Sequence, residues 1–266
     1  MPLASAACIR YATHDRLVVE VHATRQALGL AAARAAAAFL RDTIATRGEA
    51  RVIFACAPSQ DEFLACLVDP SQTGIEVKWP AVTAFHMDDY VGLPAAHPQS
   101  FRSYLQTHLL SRVKLGRFHA IEAESPDLKA MCARYESLLS ERPIDLICMG
   151  IGENGHIAFN DPGVAEFEDQ RLVKQVQLDR KCRQQQVNDG CFPAIEAVPE
   201  SAVSLTVPVF RRARRLSIHV PGSRKADAVA AALTGEITPE CPASILRLHP
   251  NAVLYIDVDS ARTLPA

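Results

Sequence analysis

Residues 144–163, IDLICMGIGENGHIAFNDPG, constrain the fold more than any other stretch of the chain. The segment opens on an apolar run, IDLICM, the pattern of a strand covered on both faces in a parallel sheet. It then breaks into a loop carrying Gly150, Gly152 and Gly155, with His156, Asn160 and Asp161 crowded behind them. Open α/β sheets hold ligands beyond the carboxyl ends of their strands, so these three polar residues are expected to stand at a small-molecule site.

The rest of the chain alternates strands and helices around this segment. Residues 16–22 read as a strand, and residues 23–47, alanine-rich with leucine, phenylalanine and isoleucine at helical spacing, predict a long helix. Residues 51–57, RVIFACA, predict a buried strand leading through Pro58-Ser59-Gln60 into a helix with Ser59 as its expected N-cap. Such a turn either holds a phosphate on its free N–H groups or is simply a capped helix. The apolar residues 81–85 end in His86-Met87-Asp88-Asp89-Tyr90. Two carboxylates directly after a buried strand are costly unless hydrogen-bonded or used, which marks a working carboxylate there.

Helices are predicted over residues 101–110 and 127–139, with a short strand at 118–121 between them. Residues 163–192 are polar, with one strand-like piece at 172–178, and are expected to form a lid or a solvated excursion. Residues 202–209 and 215–220 predict a strand pair. The turn Pro221-Gly222-Ser223 then leads into a helix at 224–233. Lys225 falls in its first turn, where the helix dipole disfavours a cation unless an anion is bound. A last strand is predicted at 253–258. The alternation argues for a single α/β domain, a doubly wound, mostly parallel sheet with helices on both faces.

Composition excludes several classes of function. A chain of 266 residues, 48% hydrophobic, can bury one large core. The formal charge of -2 and pI near 6.5 leave no basic stripe for a nucleic acid. The eight cysteines are scattered without a CxxC pair, as expected of reduced residues in a cytoplasmic protein. No apolar stretch reaches the roughly 18 residues of a membrane span. The opening residues lack the basic and apolar regions of a signal peptide.

Gly150, Gly152 and Gly155 spell GxGxxG, but Pro162-Gly163 follows where a dinucleotide site needs a long helix. His86, Asp88, Asp89 and His156 fall into no zinc-binding spacing, so no metal is expected. No serine sits in a G-x-S-x-G elbow. What remains is acid and base work on a phosphorylated small molecule, with Asp88 and His156 at two strand ends and Arg183 and Lys225 available for the phosphate.

HMDDYVGL at 86–93, continuing to His97-Pro98, and GIGENGHIAFNDP at 150–162 resemble the glucosamine-6-phosphate deaminase family, in a superfamily shared with 6-phosphogluconolactonases. Weaker similarity runs through Cys182-Arg183, Ser204-Leu205-Thr206, residues 222–226 and Leu248-His249-Pro250. The resemblance implies conversion of glucosamine 6-phosphate and water to fructose 6-phosphate and ammonia, without a cofactor. It implies Asp88 as the base that moves a proton between C2 and C1 and His156 as the group that assists ring opening. Asp161 takes the place of a family glutamate. Arg183 and Lys225 match phosphate ligands, and Ser59 is the residue of the phosphate turn best suited to a third contact. Relatives are often assembled from several subunits, so a homo-oligomer is expected.

Three departures from the family pattern stand out. The phosphate turn, Ala55-Cys56-Ala57-Pro58-Ser59-Gln60, lacks the usual glycines and threonines. Asn154 occupies a position where many members carry an aspartate paired with the histidine, so His156 is expected to orient on an amide and be less basic. Val164, Ala165 and Val173 occupy the segment from which some bacterial members bind N-acetylglucosamine 6-phosphate, and only Arg171 is compatible, so little or no such activation is expected. The competing readings are a 6-phosphogluconolactonase, a deaminase of another amino sugar phosphate, and a sugar-phosphate-binding regulator without catalysis.

Overall fold

The computed structural model describes residues 7–265. Its strands are β1 (Cys8–His14), β2 (Leu17–His22), β3 (Ala50–Phe54), β4 (Val82–His86), β5 (Asp88–Tyr90), β6 (Arg117–His119), β7 (Leu146–Met149), β8 (Val173–Gln177), β9 (Ser201–Leu205), β10 (Arg215–Val220) and β11 (Ala252–Asp257). The α-helices are α1 (Arg25–Arg47), α2 (Asp61–Leu67), α3 (Pro70–Thr73), α4 (Phe101–Leu105), α5 (Leu128–Ser140), α6 (Arg180–Asn188), α7 (Val207–Arg212) and α8 (Ala226–Thr234).

Eight strands form one sheet in the order β1-β2-β11-β10-β7-β3-β4-β6, parallel throughout except for β1. β7 is central, and all four of its residues are buried, as its unbroken apolar sequence requires. The sheet carries a core on each face. One packs alanines and leucines of α1 with Phe63 and Leu64 of α2 against Val52 and Phe54 of β3. The other packs Met131 and Tyr135 of α5 and Val229 of α8 against Ile147 and Ile218. Burying each leucine, isoleucine, valine, methionine or phenylalanine of these cores contributes about 1.5–3 kcal/mol, which holds the layers together. Thr24 caps α1 by accepting from the Ala27 N–H, and Gly48 closes it in the left-handed region.

The expected α/β sheet is present, with differences that follow from pairing. Strand β1 was not anticipated; it pairs antiparallel with β2 at the sheet edge. The predicted strand pair does not exist. β10 belongs to the main sheet, whereas β9 pairs with β5 and β8 in a second, three-stranded antiparallel sheet. Periodicity marks a strand but not its partner, and α7 begins at Val207, with Pro208 in its first turn, where the sequence suggests continued strand. The predicted helix at 101–110 is capped by Ser100, as its sequence suggests, but loosens into a π turn from Gln106 to Leu110. Positions 1–6, to which much of the leader reading applies, lie outside the described residues. Among the described residues no helix is long and apolar enough to cross a membrane.

The topology positions the site. From β3 the chain proceeds outward through β4 to β6, then returns to β7 on the other side of β3 and proceeds through β10 to β11. The direction of winding therefore reverses between β3 and β7. At such a switch point the loops leaving adjacent strands diverge and open a crevice beyond their carboxyl ends.

Candidate active site

The crevice is a cleft lined by loops from four strands: Ser59 and Gln60 after β3, Asp88 after β4, Gly152 and His156 after β7, and Lys225 after β10. Gln185 and Gln186 of α6 close one side, which brings part of the 163–192 segment over the cleft. Within that segment the chain is built into the second sheet as β8 and into α6.

The two neighbouring carboxylates have separate roles. Asp89 is fully buried and accepts from the N–H of Tyr90 at 2.9 Å, the N–H of Phe101 at 3.1 Å and Arg102 Nε at 3.0 Å. It ties β5 to the start of α4. Asp88, at the first position of β5, faces the cleft and has no ion-pair partner among the described residues. Burial, with Asp89 alongside, pushes its carboxyl well above the usual range. A carboxylate so raised is a stronger base, the property needed to take a proton from carbon. His86, by contrast, is structural. Its Nε2 accepts the Ile121 N–H at 2.7 Å, and burial lowers it to about 3, so it stays neutral.

His156 lines the cleft with its imidazole against Gly152. A Cβ at Gly152 would lie 2.2 Å from His156 Cε1, so only glycine leaves room for the ring. Gly155 adopts φ +85°, turning the loop so that His156 returns beneath it. The GxGxxG pattern therefore serves a histidine. Ala158, also on the cleft, is held at φ 49°, a strained conformation of the kind found at working sites. Asn160 does not reach the cleft; its amide donates to the carbonyls of Ile157 and Leu205 at 2.8 Å each.

The expected pairing of Asn154 with the imidazole is corrected by the geometry. Asp161 Oδ1 lies 3.0 Å from His156 Nδ1, so a carboxylate, not an amide, faces the ring. Asn154 donates instead to Asp161 Oδ1 at 2.9 Å and Asp179 Oδ2 at 3.3 Å, while its own carbonyl accepts the His156 N–H. Burial alone would raise the Asp161 carboxyl, but His156, Asn154 and the Asp179 N–H together hold it below the usual range. Asn154→Asp is thus expected to destabilise. It replaces a donor between two carboxylates by a third carboxylate, a loss of about 1.5–3 kcal/mol. Denaturant unfolding at neutral pH checks this, and the loss should shrink as acid protonates the new side chain.

At the other end of the cleft, Ser59 does not cap α2. Residues Pro58–Gln60 form a 3-10 turn, and no side chain caps the helix. Ser59 Oγ instead accepts from Gln60 Nε2 at 3.0 Å, which leaves its own proton free to donate. Gln60 is oriented by His219, whose Nδ1 lies 2.7 Å from Gln60 Oε1 and whose Nε2 lies 2.8 Å from Ser217 Oγ. Burial lowers His219 to about 3, so the ring is neutral and donates from Nδ1 to the amide. Sequence reading missed Gln60 and His219; they lie 159 positions apart, and nothing local signals the pairing.

Lys225 is buried beside Ser59 in an adjoining cavity and has no ion-pair partner among the described residues. Burial lowers its ammonium to about 8. A buried cation beside a hydroxyl donor calls for an anion. Arg183 is not brought to this point. Its Nη2 donates to the carbonyls of Ile195 at 2.8 Å and Val198 at 2.9 Å.

Residues 23–255 match the family described as glucosamine-6-phosphate isomerases/6-phosphogluconolactonase. The glucosamine-6-phosphate deaminase of Listeria welshimeri is 36% identical over 183 residues, covering 69% of this chain and 76% of that protein. The chain belongs to this family. A second member, the glucosamine-6-phosphate deaminase of Bacillus cereus, is 34% identical over 179 residues, covering 67% of this chain and 66% of that protein, just under two thirds of its length. Among solved structures, a monomeric glucosamine-6-phosphate deaminase of the NagB superfamily aligns with TM-score 0.83 and 30% identity over 92% of this chain and 98% of that one. A 6-phosphogluconolactonase from Shewanella baltica shares the fold, with TM-score 0.73 and 17% identity over 92% of this chain and all of that one. Since one relative is monomeric, family membership does not by itself carry the expected assembly of subunits.

Proposed function

We propose that the protein converts glucosamine 6-phosphate and water to fructose 6-phosphate and ammonia. The observation that carries this reading is the convergence of Asp88 and His156 on one cleft that Lys225 and Ser59 also line, these last two bordering an adjoining cavity as well. His156, with Asp161 behind it, handles the ring-oxygen proton so that the pyranose opens. Asp88 then takes the C2 proton and returns it to C1, converting the 2-amino aldose into a 2-imino sugar. Water hydrolyses that imine and ammonia leaves. No electrons are gained or lost overall, so aspartate and histidine suffice. Phosphate held by Lys225 and Ser59 fixes the sugar far from the reacting carbons, so its binding energy serves orientation.

The deaminase reading is preferred to a lactonase because the curated relatives at 34% and 36% identity are named as deaminases. Purified protein should release ammonia and fructose 6-phosphate from glucosamine 6-phosphate at least as fast as it releases ammonia from galactosamine 6-phosphate, whose ketose product would be the C4 epimer. Hydrolysis of 6-phosphogluconolactone without ammonia release would assign the chain to the other branch. Sugar phosphate binding with no turnover would make it a regulator.

Lys225→Ala is expected to raise KM about 10- to 100-fold, the worth of one charged hydrogen bond to phosphate. Because the ammonium of the free protein loses its proton near pH 8, kcat/KM should fall as pH rises through that value. That limb should vanish in Lys225→Ala and move to higher pH in Lys225→Arg. An unchanged KM in Lys225→Ala would remove the residue from the phosphate site.

A further inference from the structure

The proposed reaction uses His156 and Asp161 but leaves the thiol beside them without a role. Cys182, on the first turn of α6, is buried at 1% exposure, and Asp161 and His156 are buried at 0% and 8%. One imidazole nitrogen, one carboxylate oxygen and the cysteine sulfur all lie within 4.8 Å of one another. Nitrogen, oxygen and sulfur donors at such separations need only small side-chain adjustments to reach the 2.0–2.3 Å bonds typical of Zn²⁺, and three protein ligands leave a fourth position for water.

We propose that His156, Asp161 and Cys182 form an inhibitory binding site for a divalent cation of the Zn²⁺ class. Occupancy engages the histidine required for ring opening. His156 is the ligand that also lines the cleft, so the cation would reach the site from there. As the metal–sulfur bond forms, the thiol proton is released to solvent, and the metal takes up a lone pair of the imidazole.

The surroundings distinguish this from a redox role for the same thiol. Burial, with the carboxylates of Asp161, Asp88 and Asp179, pushes the Cys182 thiol well above its ordinary range, while the Lys225 ammonium acts on it in the opposite sense. A thiol so placed is a poor nucleophile. The same carboxylates favour a bound cation, which inverts the balance and deprotonates the sulfur directly. Asn154 bridges Asp161 and Asp179 from behind and so fixes the carboxylate of the triad.

Titration of the whole protein with Co²⁺ tests the site directly. A thiolate-to-cobalt charge-transfer band saturating at one ion per chain is expected, and Cys182→Ala and Cys182→Ser should abolish it. Because seven other cysteines are present, the variants assign the band. In turnover assays free of chelator, Zn²⁺ should inhibit reversibly, with chelator restoring the rate. The half-inhibitory concentration should rise at least about tenfold in either variant, since losing a ligand costs at least what losing its supporting contacts does. The serine variant preserves side-chain volume, so a folding defect in the alanine variant does not decide the outcome. Absence of the band in the unmodified protein, or a band or Zn²⁺ inhibition unchanged in Cys182→Ser, would overturn the proposal. The inhibition arm rests on the deaminase reading; the spectroscopic arm does not, so failure of that reading alone would leave the Co²⁺ result intact.

Discussion

Asp88→Asn is expected to lower kcat by about 100- to 10,000-fold, the range supplied by a positioned general base, while KM changes little. The substitution keeps the size of a buried side chain and removes the charge that burial and Asp89 make costly. A carboxyl raised in the folded state binds its proton more tightly than in the unfolded chain, so its ionised form lowers stability once pH exceeds the ordinary carboxylate range. Asp88→Asn should therefore be as stable as the parent at neutral pH, or more so. In the parent, kcat/KM should decline in acid at a pH above that expected of an ordinary aspartate. Steady-state kinetics and thermal unfolding of the variant decide the matter together. Near-normal turnover would exclude Asp88 as the base, and a large loss of stability would show that the lost activity reflects damage to β5.

Gly152→Ala should be nearly as damaging, though the residue has no chemistry of its own. The added methyl would lie 2.2 Å from His156 Cε1 and 2.3 Å from Nε2, closer than any real contact, so the imidazole must move. The ring must swing toward the cleft it lines, which breaks its approach to Asp161. A displacement of about 1 Å at a reacting group costs roughly 100-fold in rate, and overpacking of this kind costs about 1–3 kcal/mol in stability. The measurements are kcat and the denaturant midpoint of the variant. A fully active Gly152→Ala protein would mean that His156 works from another position.

The sequence made the central strand and its loop readable because both signals are local. An unbroken apolar run of four to six residues ending in glycine marks a buried strand and its carboxyl end. Asp88 stood out for the same reason, as a charge immediately after such a run. The failures arise where a side chain's direction depends on distant chain. Arg183 occupies a suitable position on α6, but the carbonyls of Ile195 and Val198 capture its guanidinium. Asp161, rather than the expected Asn154, faces the His156 ring, because a seven-residue separation does not reveal which of two neighbours meets it. β9 was read correctly as a strand and placed in the wrong sheet, since pairing is set by β5 and β8, remote in sequence.

The chain from Ser217 through His219 and Gln60 to Ser59 gives the two contacts proposed for the phosphate different responses to acidity. Because His219 carries no charge until far below neutrality, the serine proton it helps to aim outward is presented unchanged over the whole working range. Lys225 supplies an attraction that alkali switches off. An anion held by the pair should thus be gripped in two layers, a constant polar one and a titrating ionic one, and inorganic phosphate binding to Lys225→Ala should be weak yet indifferent to alkalinity.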